Sequence, residues 1–344
     1  ALSEQDTHSY CADDGLPALR EALTNKLKIE NGLVQSAVMV TSGSNQAYTN
    51  VVLSLLDEGD TAIVFRPYYF NHMMALQMVG ATIEIASVHD DLQPDIPALH
   101  KRLTSTSEAP VKMVTICNPG NPTGVMLPAQ TLQQVAAMCR ESGTWLLVDN
   151  AYEYFSYEPQ GHPGHSCVEG EHILNTFSFS KSYGMMGWRI GYLAYPPALA
   201  EQLFKAQDTI PICPPVMSQK AALGALTSGA SWVKEKVNTL TANKQLLRTT
   251  IVDCLGPDSV LGGSGAIYYM VKLPRTRDGS LVDDFAVVEW LAGQYKVCVI
   301  PGSACGFKGH IRVCYSNLTD DKCNEAATRL RSGLEALVRG EGPP

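Results

Sequence analysis

The chain predicts an α/β protein, a mostly parallel sheet flanked by helices, followed by a smaller α+β C-terminal domain. Three observations carry this. Short apolar runs alternate with helical patterns from Ala37 to Tyr195, the signature of βαβ units. Some of those runs, such as Trp145-Leu-Leu-Val-Asp149, are continuously apolar, as in strands buried on both faces. After Tyr195 the alternation stops, and longer helices and short strands follow. At 344 residues the chain exceeds the ~100–200 of a single domain. We therefore expect a large domain over residues 1–230 and a small one over 231–344.

Taken in order, a turn-rich stretch from His8 to Gly15 leads into a helix with Pro17 in its first turn. Leu16, Leu19, Leu23 and Leu27 recur at helical spacing, and Asn31-Gly32 stops the helix. Ala37–Thr41 reads as a buried strand, Ser42-Gly43-Ser44-Asn45 as a turn, and Ala47, Val51, Val52 and Leu55 as one face of the next helix. Strand, glycine turn and helix together aim backbone N–H groups at an anion. No Gly-Lys-Ser/Thr closes the turn, so it is not a nucleotide P-loop. Further strands are expected at Thr61–Phe65, Ala81–Ala86, Val111–Cys117 and Trp145–Asp149, with a helix over Pro128–Ser142. Asn118-Pro-Gly-Asn-Pro-Thr-Gly124 is too dense in breakers for either element. Asp149 ends its strand, where open α/β sheets place ligands. His172–Phe179 is strand-like, with Lys181 two residues beyond. Later, Ile210–Pro215 breaks the chain before a helix ending near Thr227. Trp232, Val233, Val237, Leu240, Leu247 and Ile251 predict one long helix. Strands at Ala266–Leu273, Val297–Ile300 and Ile311–Ser316 and two further helices complete the small domain. The last helix uses Ala327, Leu330, Leu334 and Leu337, and a disordered tail is expected from Gly340 to Pro344.

Composition excludes several function classes. A net charge of −8 and a pI near 5.5 leave no basic stripe for nucleic acid. No apolar run approaches the ~20 residues of a membrane span. Ten cysteines fall singly, without a Cys-x-x-Cys pair, which predicts reduced thiols in a cytoplasmic protein. His162 and His165, the one close histidine pair, lie in a Gly/Pro loop without other ligands, so no metal is expected.

The chemistry concentrates in Ser178-Phe-Ser-Lys-Ser-Tyr-Gly-Met-Met-Gly-Trp-Arg189. A held lysine forms Schiff bases once its surroundings lower its basicity. The serines around Lys181 and the Arg189 fork suit phosphate oxygens. A lysine for an aldehyde beside an anchor for a phosphate points to pyridoxal 5'-phosphate.

Five elements then appear in one order: Asn121 in its Asn-Pro-Thr-Gly loop, Asp149 followed by Tyr152, Lys181, Arg189 and the late Arg312. Together they resemble the fold type I pyridoxal-phosphate-dependent aminotransferases. The runs Val148–Phe155 and Phe177–Tyr192 are similar to the plant aromatic aminotransferases that use methionine and aromatic 2-oxo acids, including indole-3-pyruvate. The resemblance implies that Lys181 binds the cofactor aldehyde and moves a proton. It gives Asp149 to the pyridine nitrogen, and Tyr152 and Asn121 to the phenolic oxygen. Ser178, Arg189 and the backbone of Gly43, Ser44 and Asn45 would hold the phosphate, and Tyr69 would stack on the ring. Arg312, with Asn121, would bind the substrate carboxylate. Tyr10 would reach the phosphate in a second subunit, which implies a homodimer with shared sites, although Cys11 stands where relatives often carry glycine. The expected reaction moves an amino group between an aromatic amino acid or methionine and a 2-oxo acid. A carbon–sulfur lyase on the same fold is the alternative.

Overall fold

The computed structural model describes residues 5–157, 164–276 and 278–343. Seven strands form the first sheet: β1 (Ala37–Thr41), β2 (Thr61–Phe65), β3 (Thr82–Ala86), β4 (Val111–Cys117), β5 (Trp145–Asp149), β6 (Ile173–Ser178) and β7 (Gly191–Tyr195). They lie in the order β1-β7-β6-β5-β4-β2-β3, and of the seven only β7 runs antiparallel to its neighbours. The β6–β7 pair is a hairpin whose register sets Ser178 opposite Gly191. α1 (Pro17–Lys26) precedes β1, and between the strands run α2 (Ser44–Leu55), α3 (Phe70–Met78), α4 (Ile96–Leu103), α5 (Ala129–Glu141) and the single turn α6 (Phe179–Ser182).

The apolar runs are continuous because both faces of the sheet are covered. Successive residues of a strand point to opposite faces. Met113 and Leu147 meet Ala47 and Val51 of α2 and Leu76 of α3, whereas Val114 and Leu146 meet Leu132, Val135 and Cys139 of α5. At the β1 edge, Val38 and Val40 pack with Leu19 and Leu23 of α1, while Met39 faces the other way. Each fully buried leucine here is worth ~1.5–3 kcal/mol relative to exposure.

Beyond β7 come α7 (Ala200–Thr209), α8 (Val216–Leu226), α9 (Gly229–Asn238) and α10 (Thr241–Leu255). A second, antiparallel sheet follows, ordered β10-β11-β9-β8, from β8 (Val260–Leu261), β9 (Tyr268–Lys272), β10 (Ile300–Pro301) and β11 (His310–Cys314). It shares a core with α10, α11 (Asp284–Tyr295) and α12 (Asp320–Val338), through Val271, Ile311 and Val313 against Ile251, Leu291 and Leu334.

The structure corrects four expectations. The long helix over 232–251 is two helices, because the Thr239 and Leu240 N–H groups bond three residues back, to Lys236 and Val237, and the chain turns there. The strand expected at Val297–Ile300 shrinks to β10, because Lys296 takes a left-handed φ of 57° and the Val297 N–H returns to Leu291. The strand expected over His172–Phe179 ends at Ser178, and Lys181, two residues beyond its expected end, lies within α6. The tail is ordered as far as it is described: the Glu341 N–H bonds to the Ala336 carbonyl at 3.0 Å, and Arg339 pairs with the Glu341 carboxylate at 2.6 Å. Pro344 and His162 lie outside the described residues; His165 bonds to Asn150 Oδ1 at 2.9 Å. No helix among the described residues is long and apolar enough to cross a membrane.

Candidate active site

The C-terminal ends of β1, β4, β5 and β6 open onto one cavity of about 170 Å³. Ser44, Asn45, Tyr69, Asn121, Asp149, Tyr152, Ser178, Lys181 and Arg189 all line it, along with Ser180 and Met186. Ser182, the serine on the other side of Lys181, does not.

One wall is an anion cradle. α2 begins at Gly43 without a side-chain cap, so its first N–H groups and the positive end of its dipole face the cavity. Across from it, Arg189 Nη1 donates to Ser180 Oγ at 3.4 Å and to the Met186 carbonyl at 3.0 Å, and Nη2 donates to the Ser42 carbonyl at 3.3 Å. Gly43 is required twice over. Its φ is +88°, and a Cβ there would lie 2.2 Å from Arg189 Nη2. Ser178 Oγ accepts from the Ser180 N–H at 3.1 Å and so caps α6, which fixes the direction in which the Lys181 turn leaves the strand.

A second wall carries a buried carboxylate. Asp149 Oδ1 accepts from the Ala151 N–H at 3.0 Å, and Oδ2 lies 3.0 Å from His72 Nε2. His72 is itself sandwiched, stacked on Tyr48 at 4.1 Å and edge-on to Tyr69 at 5.1 Å. Tyr69 O–H is held by Asn71 Nδ2 at 2.7 Å, and burial pushes its pKa up, helped by the Asp149 charge.

Lys181 is made less basic than an ordinary lysine chiefly by burial. Cys314 acts against that shift, while the positive charges of Arg312 and Arg189 add to it. Tyr152 is held firmly protonated by burial, and its hydroxyl meets that of Tyr268 at 2.6 Å.

The second sheet supplies the last group. Arg312 on β11 donates from Nη1 to Asn121 Oδ1 at 2.8 Å, and its guanidinium lies 4.3 Å from the centroid of the Tyr268 ring. Its Nε is buried with no protein partner. The Asn118–Gly124 loop is fastened to this sheet at Gly124, whose carbonyl accepts from the Gly263 and Gly265 N–H groups at 3.0 and 2.7 Å. A Cβ on Gly124 would stand 2.4 Å from the Tyr268 carbonyl. Asn121 and Arg312, 191 residues apart, therefore meet across that seam.

Of the expected site residues, Tyr10 alone is not gathered here, being 79% exposed on this chain. Sequence reasoning missed His72 and Tyr268. Both touch predicted residues, but neither sits in a motif; the signal for His72 was its place one helical turn after Tyr69.

The donors present fit pyridoxal 5'-phosphate: an uncapped helix end, hydroxyls and a guanidinium for a phosphate, a carboxylate for a ring nitrogen, and a lysine of lowered basicity for an aldehyde. A helix-flanked sheet and a second sheet with these groups at its strand ends are those of a pyridoxal-phosphate-dependent transaminase. The chain belongs to the aminotransferase class I and II family, whose model matches residues 1–330. It is 47% identical over 335 residues to Aromatic aminotransferase ISS1 of Arabidopsis thaliana, covering 96% of this chain and 83% of that one. A probable aspartate/prephenate aminotransferase of Aquifex aeolicus is 30% identical, covering 98% of this chain and 86% of its own. The solved aromatic aminotransferase of Pyrococcus horikoshii OT3 superposes with a TM-score of 0.85 at 26% identity, over 98% of this chain and 89% of its own.

The cradle makes a direct prediction. Gly43→Ala should lower the affinity for pyridoxal phosphate at least about tenfold, because the new Cβ must displace the Arg189 fork. Equilibrium dialysis of the variant against the cofactor measures this.

Proposed function

We propose that this protein moves amino groups between aromatic amino acids or methionine and 2-oxo acids. The observation that carries the reading is convergence. Lys181, the Asp149–His72 pair and the Asn121–Arg312 pair, drawn from both sheets, meet around one cavity. The likeness to the Arabidopsis aromatic aminotransferase favours the aromatic class.

When bound, pyridoxal phosphate supplies an aldehyde that exchanges amines and a ring that accepts electrons. The chain's residues do the rest. Ser178, Ser180, Arg189 and the backbone of Gly43, Ser44 and Asn45 hold the phosphate. Tyr69 covers the ring, and Tyr152 and Asn121 donate to its phenolic oxygen. Asp149, itself fixed by His72 and the Ala151 N–H, keeps a proton on the ring nitrogen. Arg312 takes the substrate α-carboxylate in its fork, with Asn121 as the neighbouring polar group, and so turns Cα–H toward Lys181. Lys181 Nζ would take the proton from Cα and give it up at the cofactor's aldehyde carbon, so that the amino group stays behind when the 2-oxo acid leaves. Its lowered basicity raises the fraction of neutral amine near neutral pH.

Residues 1–230 form the cofactor-binding unit in this reading, and 231–344 bring Arg312. Exposed Tyr10 is free to serve a second subunit's phosphate, so we infer a homodimer with shared sites. Ten free cysteines support a cytoplasmic setting.

The test is a panel of phenylalanine, tyrosine, tryptophan, methionine and aspartate as donors against phenylpyruvate, 4-hydroxyphenylpyruvate and indole-3-pyruvate. Aromatic pairs should give kcat/KM values roughly tenfold or more above aspartate pairs. Pyruvate and ammonia from cystathionine, with no amino exchange, would overturn the proposal in favour of a lyase.

A further inference from the structure

We infer that a second cavity lined by Lys181 receives the substrate side chain, and that Trp232 and Tyr183 are the wall that selects an aromatic one. The inference rests on the transaminase reading above and assigns its specificity to residues that no part of that mechanism uses.

This cavity measures about 450 Å³, within the ~300–1,000 Å³ of small-molecule sites. Ser180, Lys181 and Met186 line both it and the cofactor cavity, so the two spaces adjoin at the catalytic lysine. A substrate Cα has four substituents to place. The nitrogen goes to the cofactor, the carboxylate to Arg312 and the hydrogen to Lys181. The side chain needs a neighbouring space that is not the cofactor's, and this chamber shares the Ser180, Lys181 and Met186 wall with it.

Its walls suit an aromatic ring. Tyr183 and Trp232 present nearly parallel rings, 9° apart with centroids at 6.4 Å. Trp232 stands on α9 and is 39% exposed, so much of its surface is not consumed by the core. Flat aromatic faces reward another ring beyond what burial alone gives. Lys236, one turn along α9, holds its ammonium 5.8 Å from the Trp232 centroid, and no carboxylate is among the described residues lining the chamber.

The experiment uses the cofactor-loaded enzyme with Trp232→Ala and Trp232→Phe, each assayed with phenylpyruvate, indole-3-pyruvate and pyruvate as acceptors. In the alanine variant kcat/KM for the two aromatic acids should fall roughly 10- to 50-fold, mainly through KM, while pyruvate stays within about twofold. Trp232→Phe, which keeps a ring, should retain most of the aromatic activity. Binding is read separately by fluorescence: phenylpyruvate should quench the wild-type enzyme, and Trp232→Phe should lose that quenching. Equal losses for all three acceptors, unchanged aromatic kinetics, or quenching that persists in Trp232→Phe would each overturn the inference. Should the alanine variant not fold, the phenylalanine variant's quenching still decides. A wild-type enzyme that transaminates none of the acceptors would instead sink the transaminase reading.

Discussion

Replacing Lys181 with alanine should lower transamination by at least about 10⁴-fold, whatever the substrate pair, because it removes both the amine that takes the aldehyde and the base at Cα. The loss should appear in kcat rather than KM, since Arg312 and the cavity walls remain. The protein should stay folded: Lys181 lies in a four-residue turn anchored by Phe179 and by the Ser178 cap, neither of which needs the ammonium. Steady-state rates beside far-ultraviolet circular dichroism separate the two effects. An alanine variant turning over within tenfold of wild type would mean that another group moves the proton, and the site assignment would fail.

Arg312→Lys should be nearly as damaging despite keeping the charge. A guanidinium fork grips both carboxylate oxygens in one plane, whereas an ammonium is a point charge on a flexible stem. Lysine would also give up the contact with the Tyr268 ring and the 2.8 Å bond to Asn121. A misplaced Cα–H costs about 10²-fold, so kcat/KM for phenylalanine should drop by about that factor or more, with a raised KM. Affinity for pyridoxal phosphate should not change, because none of the phosphate cradle depends on Arg312. Paired measurements of kinetics and cofactor binding check both halves.

Much of this was legible because local and global signals agree. β2, β4 and β5 fall where apolar runs are bounded by turn residues and charge, and the motif residues lie at strand ends, where the topology must bring them together. What stayed hidden is tertiary. His72 sits in Asn-His-Met-Met, an unremarked helical sequence, and gains meaning only by meeting Asp149 77 residues later. Ile-Tyr-Tyr-Met offers two tyrosines, and only the register that sets Tyr268 opposite Cys314 decides which one faces Arg312. The break between α9 and α10 contains neither glycine nor proline; it is a turn in which the Thr239 and Leu240 N–H groups bond three residues back. β7 follows directly on the motif with no polar alternation, since both its faces are buried.

The β6–β7 hairpin acts as a ruler. Lys181 and Arg189, proposed to take the cofactor's aldehyde and its phosphate, both lie on the link between two strands locked at Ser178 and Gly191. Their separation is therefore written into chain length, not into side-chain packing that can drift. Outside Lys181 and Arg189, substitutions along the link are tolerable if they keep the span, but a single inserted or deleted residue would shift one end against the other. Apart from those two residues, length more than identity is the quantity this stretch must conserve as the protein changes.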